Sequence, residues 1–220
     1  MRNPVRTMHS IHPFARFTLV VSLLALSSLS VAILFPVHSW SRSSSSSAAI
    51  DLVGKAVDPL KAAAGKVVVL IFVRTDCPIS NRYAPAIQRI IEKYARSEDA
   101  GAGNSGKVAF WLVYPDKAET AAMIRKHDTE YGYKISALRD TEHALVRESQ
   151  VKITPEAAVF DASARLVYHG RIDNWYVDFG RARSAATTHE LDDAIQAALG
   201  GKVPPVRTTD AVGCYISDLE

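Results

Sequence analysis

The run Lys66-Val-Val-Val-Leu-Ile-Phe-Val73 restricts the fold of this 220-residue chain more than any other stretch. It is continuous, rich in β-branched residues and far shorter than the ~20 residues a helix needs to cross a bilayer, which leaves a strand buried on both faces. Such a strand belongs in the middle of a sheet with helices on either side. The next segment fits that placement. Pro78 suits a first helical turn, where its missing N–H costs nothing, and Ile79, Tyr83, Ile87, Ile90, Ile91 and Tyr94 recur at helical spacing as far as about Arg96. Ser97 to Gly106, with three glycines, reads as a loop, and Val108-Ala-Phe-Trp-Leu-Val-Tyr114 as a second buried strand closed by Pro115.

Helical patterns at Lys117 to Tyr131 and Thr141 to Ser149 flank an extended piece at Ile135 to Leu138. Ala157 to Phe160 and Leu166 to His169 flank Asp161 to Arg165 as a hairpin, and a last helix fits Thr188 to Leu199. Strand and helix alternate and then end in a hairpin plus helix, which predicts an α/β sandwich with a mixed central sheet.

Residues 17–37 contain no charge and fifteen apolar residues out of twenty-one, enough to span a bilayer core as one N-terminal hydrophobic helix. Three arginines precede it and only Arg42 follows before Ile50, so residues 1–16 are expected in the cytoplasm and the rest outside it. The expected location is a bacterial inner membrane, single-pass, with the domain in the periplasm. Ser30-Val-Ala32 offers a signal-peptidase site, and cleavage there gives a secreted or periplasmic protein instead. Residues 38–49 are a Ser-rich linker, 50–200 the domain and 201–220 a C-terminal tail.

Lys and Arg number 26 against 23 Asp and Glu, a net +3. All four charges in the first 49 residues are basic, and taking them away leaves 22 against 23, or −1. A nearly neutral domain has no electrostatic footprint for phosphate backbones, and nucleic acid is not an expected partner. Two cysteines exclude a multi-bridge scaffold and a four-thiolate zinc site.

Cys77 lies where the buried strand ends and the helix begins. The positive end of the helix dipole and the free N–H groups there favour a thiolate, which is how a reactive cysteine is made; the competing reading is an inert buried thiol. Thr75-Asp-Cys-Pro-Ile-Ser80, with Pro85 eight residues after the cysteine, resembles the active-site helix of the thioredoxin superfamily. Val151-Lys-Ile-Thr-Pro-Glu-Ala-Ala-Val-Phe-Asp161 resembles the loop that sets a cis-proline opposite the catalytic cysteine. The resemblance implies that role for Pro155, and for Thr154 a backbone contact to a partner's sulfur. TDCPISNRYAP, YHGRID and the C-terminal AVGCYI look like the redoxin group related to AhpC/TSA peroxiredoxins. The resemblance covers roughly Leu52 to Ile216 and implies a three-layer α/β/α sandwich.

Three departures bear on mechanism. Thioredoxins carry a second cysteine three positions on, where this chain has Ser80, so exchange within one CxxC is impossible. Peroxiredoxins carry threonine three residues before the cysteine, where this chain has Arg74 and places Thr75 two before. Sco-type copper-delivery proteins use a second cysteine four residues on, and here that position is Asn81.

Cys214 lies 137 positions after Cys77 and has three readings, in decreasing order of preference. It resolves a sulfenic acid that peroxide forms on Cys77; it closes a permanent bridge worth about 4 to 5 kcal/mol in the chain-entropy model; or it joins Cys77 and His169 on Cu(I). Arg171 and, less strongly, Arg74 are candidates to stabilise a thiolate or polarise a peroxide oxygen. Asp76 is read as a helix cap, Asn81 and Arg82 as solvent-facing, and the aromatic stretch from Asn174 to Phe179 as packing. Glu190, Asp192 and Asp193 are read as a solvated face.

The expected protein is a membrane-tethered, extracytoplasmic thiol oxidoreductase without a bound cofactor. It acts on peroxide or disulfide and is reset by an external thiol reductant. The rivals are a Cu(I)-binding module and a redox-inactive binding domain.

Overall fold

The computed structural model describes residues 48–95, 106–217 and 219. The expected N-terminal span and almost all of the linker and of the 97–106 loop lie outside the described residues. Among the described residues no helix is long and apolar enough to cross a membrane.

In chain order the elements are β1 (Ala49–Asp51), β2 (Ala56–Val57), α1 (Pro59–Ala62), β3 (Val67–Phe72), α2 (Pro78–Ala95), β4 (Val108–Tyr114), α3 (Ala121–Glu130), β5 (Ser136–Arg139) and α4 (Ala144–Ser149). There follow β6 (Ile153–Thr154), β7 (Glu156–Phe160), β8 (Leu166–Gly170), β9 (Tyr176–Asp178), β10 (Arg181–Ala182), α5 (Glu190–Leu199) and β11 (Cys214–Tyr215). Seven strands form the main sheet in the order β2-β1-β5-β4-β3-β7-β8. The β3–β4 and β4–β5 pairs are parallel; β7 joins β3 antiparallel, and the sheet is mixed.

β3 is central, as its unbroken apolar run dictates, and none of its six residues is more than 3% exposed. Its side chains alternate. Val67, Val69 and Ile71 meet α2, α3 and α5, whereas Val68, Leu70 and Phe72 meet Ala63 and the Leu145–Val146 face of α4. Each buried aliphatic side chain contributes about 1.5 to 3 kcal/mol, so this strand anchors both layers at once. In α2, Ile79, Tyr83 and Ile87 repeat every four residues and face the sheet, and Pro85 stands inside the helix.

The chain beyond α5 has little regular structure but a fixed course. Thr208 bridges to His169 on the outer strand β8, with His169 N–H donating to the Arg207 carbonyl at 3.0 Å. The Thr209 hydroxyl takes the Arg171 N–H at 3.0 Å and meets the Tyr168 hydroxyl at 2.9 Å. Gly170, at φ +146, is where Thr209 lies against the backbone too closely for a Cβ. From there the tail crosses to β6, where β11 pairs antiparallel with Ile153–Thr154. The Ile216 side chain then buries in the second core.

Candidate active site

Cys77 is fully buried at the head of α2. Its thiol donates to the Thr154 carbonyl at 3.2 Å, and the Ser80 N–H points at its sulfur from 3.5 Å. The preceding turn is held from three sides. The Thr75 N–H donates to Glu119 Oε1 at 2.6 Å, Arg74 ion-pairs with Asp116 at 2.9 Å, and Asn81 Nδ2 donates to the Thr75 carbonyl at 3.1 Å. The Thr154–Pro155 peptide is cis and lies across from the cysteine, as the resemblance implied. Glu156, buried just after it, fixes this loop by accepting the Lys152 and Ile153 N–H groups at 2.8 and 3.1 Å.

The tail completes the site. Cys214 is the register partner of Thr154, and the Thr154 hydroxyl donates to the Cys214 carbonyl at 3.3 Å. A Cβ on Gly213 would run into the Thr154 carbonyl, so only glycine lets the tail lie this close. Two residues on, the Ile216 N–H donates to the Lys152 carbonyl at 2.9 Å. This pairing packs Cys214 against the core cluster that contains Cys77, close enough for each thiol to shift the other's protonation, and both cysteines are free thiols.

The two thiols are electrostatically unequal. Burial pushes Cys77 up, but its interactions with Cys214 and Ser80 more than offset it, leaving its pKa below the ordinary 9.0. Ser80, at the position of the missing second CxxC cysteine, faces the sulfur with its N–H at 3.5 Å, and its buried hydroxyl has no hydrogen-bond partner among the described residues. Cys214 is pushed up to about 12 by burial and by its hydrogen bond and charge interaction with Cys77. The fold moves the two thiols in opposite directions, Cys77 down and Cys214 up.

Several expected residues lie elsewhere. Arg171 does not face the thiolate; its guanidinium is held by buried Glu190, with Nε–Oε1 at 3.1 Å, and this pair ties the end of β8 to the start of α5. His169 does not join the two thiols. It lies 3.6 Å from Glu156 and 3.3 Å from the Thr208 hydroxyl, and among the described residues no group of three or more His, Cys, Asp or Glu gathers as a metal site. Arg74 is paired with Asp76 and Asp116, and its charge acts on Cys214. Asp76 ion-pairs with Arg74 from an exposed position.

Asn81 is half-buried and bonded on both sides of its amide, not solvent-facing. Glu190 and Asp192 are not a free acidic face either: the first holds Arg171, and the second binds Lys93 and the Tyr94 hydroxyl at 2.7 Å. Trp175 and Tyr176 pack on Tyr83, with ring centroids at 5.4 and 5.9 Å. Glu119, Glu156 and Ser80 went unread as site residues. A glutamate opening the otherwise apolar strand Glu-Ala-Ala-Val-Phe160 was the available signal for Glu156. A groove of about 700 Å³ between α2 and the 172–192 segment contains neither cysteine, so the chemistry is located by the thiols and not by the cavity.

No family model and no curated protein matches this chain. Solved structures do. A hypothetical protein of Sinorhizobium meliloti 1021 superposes with a TM-score of 0.62 at 21% identity, covering 77% of this chain and 88% of that one. An uncharacterized conserved protein of Geobacillus kaustophilus gives 0.57 at 18%, over 77% and 86%. A thioredoxin-family thiol:disulfide interchange protein of Chlorobium tepidum TLS gives 0.48 at 16%, over 70% and 92%. The likeness is one of fold. It agrees with the α/β sandwich and mixed central sheet that the alternation of strands and helices led one to expect.

Proposed function

We propose that this protein is a thiol–disulfide redox protein of redoxin type whose working couple is Cys77 and Cys214. The observation that carries this reading is the β11–β6 pairing, which sets Cys214 opposite Thr154, the residue whose carbonyl takes the Cys77 thiol hydrogen. Cys77 is the nucleophile and Cys214 the resolving thiol. With a peroxide, the Cys77 thiolate attacks the nearer oxygen, becomes a sulfenic acid and releases the alcohol or water once the departing oxygen is protonated. The Cys214 sulfur then displaces hydroxide from the Cys77 sulfur; its proton leaves with that hydroxide as water, and a Cys77–Cys214 disulfide remains. With a disulfide substrate, Cys77 forms a mixed disulfide and expels one thiolate; Cys214 then attacks the Cys77 sulfur and expels the second. An external dithiol supplies the two electrons and two protons that reset the pair. The 17–37 segment serves, in this reading, as the tether that keeps the domain on the periplasmic side of an inner membrane.

The test is a stoichiometric peroxide or disulfide pulse on the reduced full chain, with thiols trapped and peptides mapped by mass. The reading requires a Cys77–Cys214 bridge that appears with the pulse and disappears with a dithiol, and complete loss of turnover in Cys77→Ser. Full activity in Cys77→Ser, or a Cys77 that stays a free thiol throughout, contradicts it.

A further inference from the structure

Beneath the turn that seats Cys77 runs a chain of side chains that the redox cycle does not use. Asn81 Nδ2 donates to the Thr75 carbonyl at 3.1 Å, and Asn81 Oδ1 lies 2.9 Å from His127 Nε2. His127 Nδ1 lies 2.8 Å from the Tyr114 hydroxyl, which in turn lies 2.8 Å from Asp128 Oδ1. Tyr114 and His127 are buried, at 0% and 4% exposure.

The hydrogens can be counted along this chain. A carbonyl only accepts, so Asn81 must turn its NH2 to Thr75 and its oxygen to His127. That oxygen also only accepts, so His127 must carry a hydrogen on Nε2. Tyr114 has one phenolic hydrogen for two contacts, and the second hydrogen must come from a neighbour. Either Asp128 is a carboxylic acid and His127 is neutral, or Asp128 is ionised and His127 is an imidazolium. Both arrangements hold one dissociable proton. Without it, two lone pairs face each other somewhere between Asp128 and Thr75, which in a buried chain leaves groups unsatisfied.

Burial selects between the two arrangements. It pushes Asp128 up, against the Tyr114 hydroxyl, and His127 down, against the Glu130 carboxylate, so in both groups burial outweighs the opposing neighbour and favours the neutral form. The remaining titratable neighbours are Tyr131 and Tyr133, whose rings lie 4.6 and 5.9 Å from the imidazole, and Glu119, which interacts with Tyr114. Glu119 is itself held toward its neutral form by burial.

We propose that Asp128, Tyr114, His127 and Asn81 are positioning residues that hold the Thr75 carbonyl, and with it the Cys77 turn, through one proton carried by the Asp128 carboxyl. Donation runs in one direction, from Asp128 to Tyr114, His127, Asn81 and finally the Thr75 carbonyl two residues before the reactive sulfur. The inference rests on Cys77 being the reactive thiol and not on its pairing with Cys214.

The first test is the ¹⁵N imidazole spectrum of the reduced full chain between pH 5 and 7. His127 should be neutral with its hydrogen on Nε2; a hydrogen on Nδ1, or on both nitrogens, overturns the proposal. The second is the pH profile of Cys77 alkylation. Asn81→Ala should slow it by about 2- to 5-fold at pH 7, the size of losing alignment at a helix N-terminus. Asp128→Asn, which offers Tyr114 an amide N–H at every pH, should keep the wild-type rate. An Asn81→Ala profile superimposable on wild type, or an Asp128→Asn profile that falls with Asn81→Ala, reduces the chain to packing. Neither test requires Cys214 to cycle, so failure here is distinct from failure of the redox reading.

Discussion

Cys77 and Cys214 reach the same site by opposite routes. Cys77 is placed by its neighbours in sequence: a buried strand, a short turn and a helix opening on Pro78 fix its position within about a dozen residues. Cys214 is placed by contacts 60 residues away in the chain, through two backbone pairs with β6 and a glycine that tolerates the Thr154 carbonyl. The local route gives a buried sulfur facing the Ser80 N–H, and its pKa is lowered by Cys214 on the docked tail together with Ser80. The distant route gives a half-buried sulfur at about 12 that depends on a strand of two residues. A thiol built into the core and a second one carried in on a docked tail allow the tail to be displaced while Cys77 keeps its place at the head of α2.

The largest effect should come from Gly213→Val. The Cβ forces β11 away from β6, and formation of the Cys77–Cys214 bridge should slow by about 100-fold, the scale on which ~1 Å of misplacement acts. Losing Cys214 should also move the Cys77 pKa up toward its ordinary value, read as an upward shift of the alkylation pH profile. A bridge that forms at the wild-type rate in this variant would mean that the tail reaches Cys77 without the β6 pairing.

Arg171→Ala sharpens the contrast from the other side. It removes the partner of Glu190, and the reduced chain should lose about 1 to 3 kcal/mol in denaturant unfolding while Cys77 alkylation stays unchanged. A tenfold fall in alkylation would restore Arg171 to the active site.

The smallest effect is in pH dependence. Because the folded pKa of Cys77 lies below 9.0, its contribution to stability is present above 9.0 and is lost as pH falls through the folded value. Cys214 has the opposite sign: its contribution is present below 9.0 and lost as pH rises toward 12. In the reduced chain, the rise in stability on approaching pH 9.0 should therefore be shallower in Cys77→Ser than in wild type, measured as denaturant midpoints. Equal slopes would mean that the thiolate gains nothing from the fold.

The same division governs what the sequence could reveal. The strand expected at 66–73 is β3 at Val67–Phe72, and the helix expected from Pro78 to about Arg96 is α2 at Pro78–Ala95. Burial on both faces and helical spacing are local signals that tertiary packing reinforces. The hairpin of β7 and β8 and the last helix were legible for the same reason. The two-residue strands β6 and β11 were not, since a pair of residues has no period to read. Within the site, Cys77 and the cis Thr154–Pro155 bond followed from motif resemblance. The partners of Arg171, His169 and Asn81 did not, because a charged or polar side chain declares its type in sequence but not the group it will meet across the fold.

The central claim is that Cys77 and Cys214 form one redox couple, and a titration of the full chain in glutathione buffers of graded ratio, read by intact mass after thiol trapping, tests it most directly. The account predicts a single two-electron transition between dithiol and an internal disulfide, replaced in Cys214→Ser by a glutathione adduct on Cys77. Separate glutathione adducts on the two cysteines of the wild-type chain, with no internal disulfide at any ratio, would contradict it.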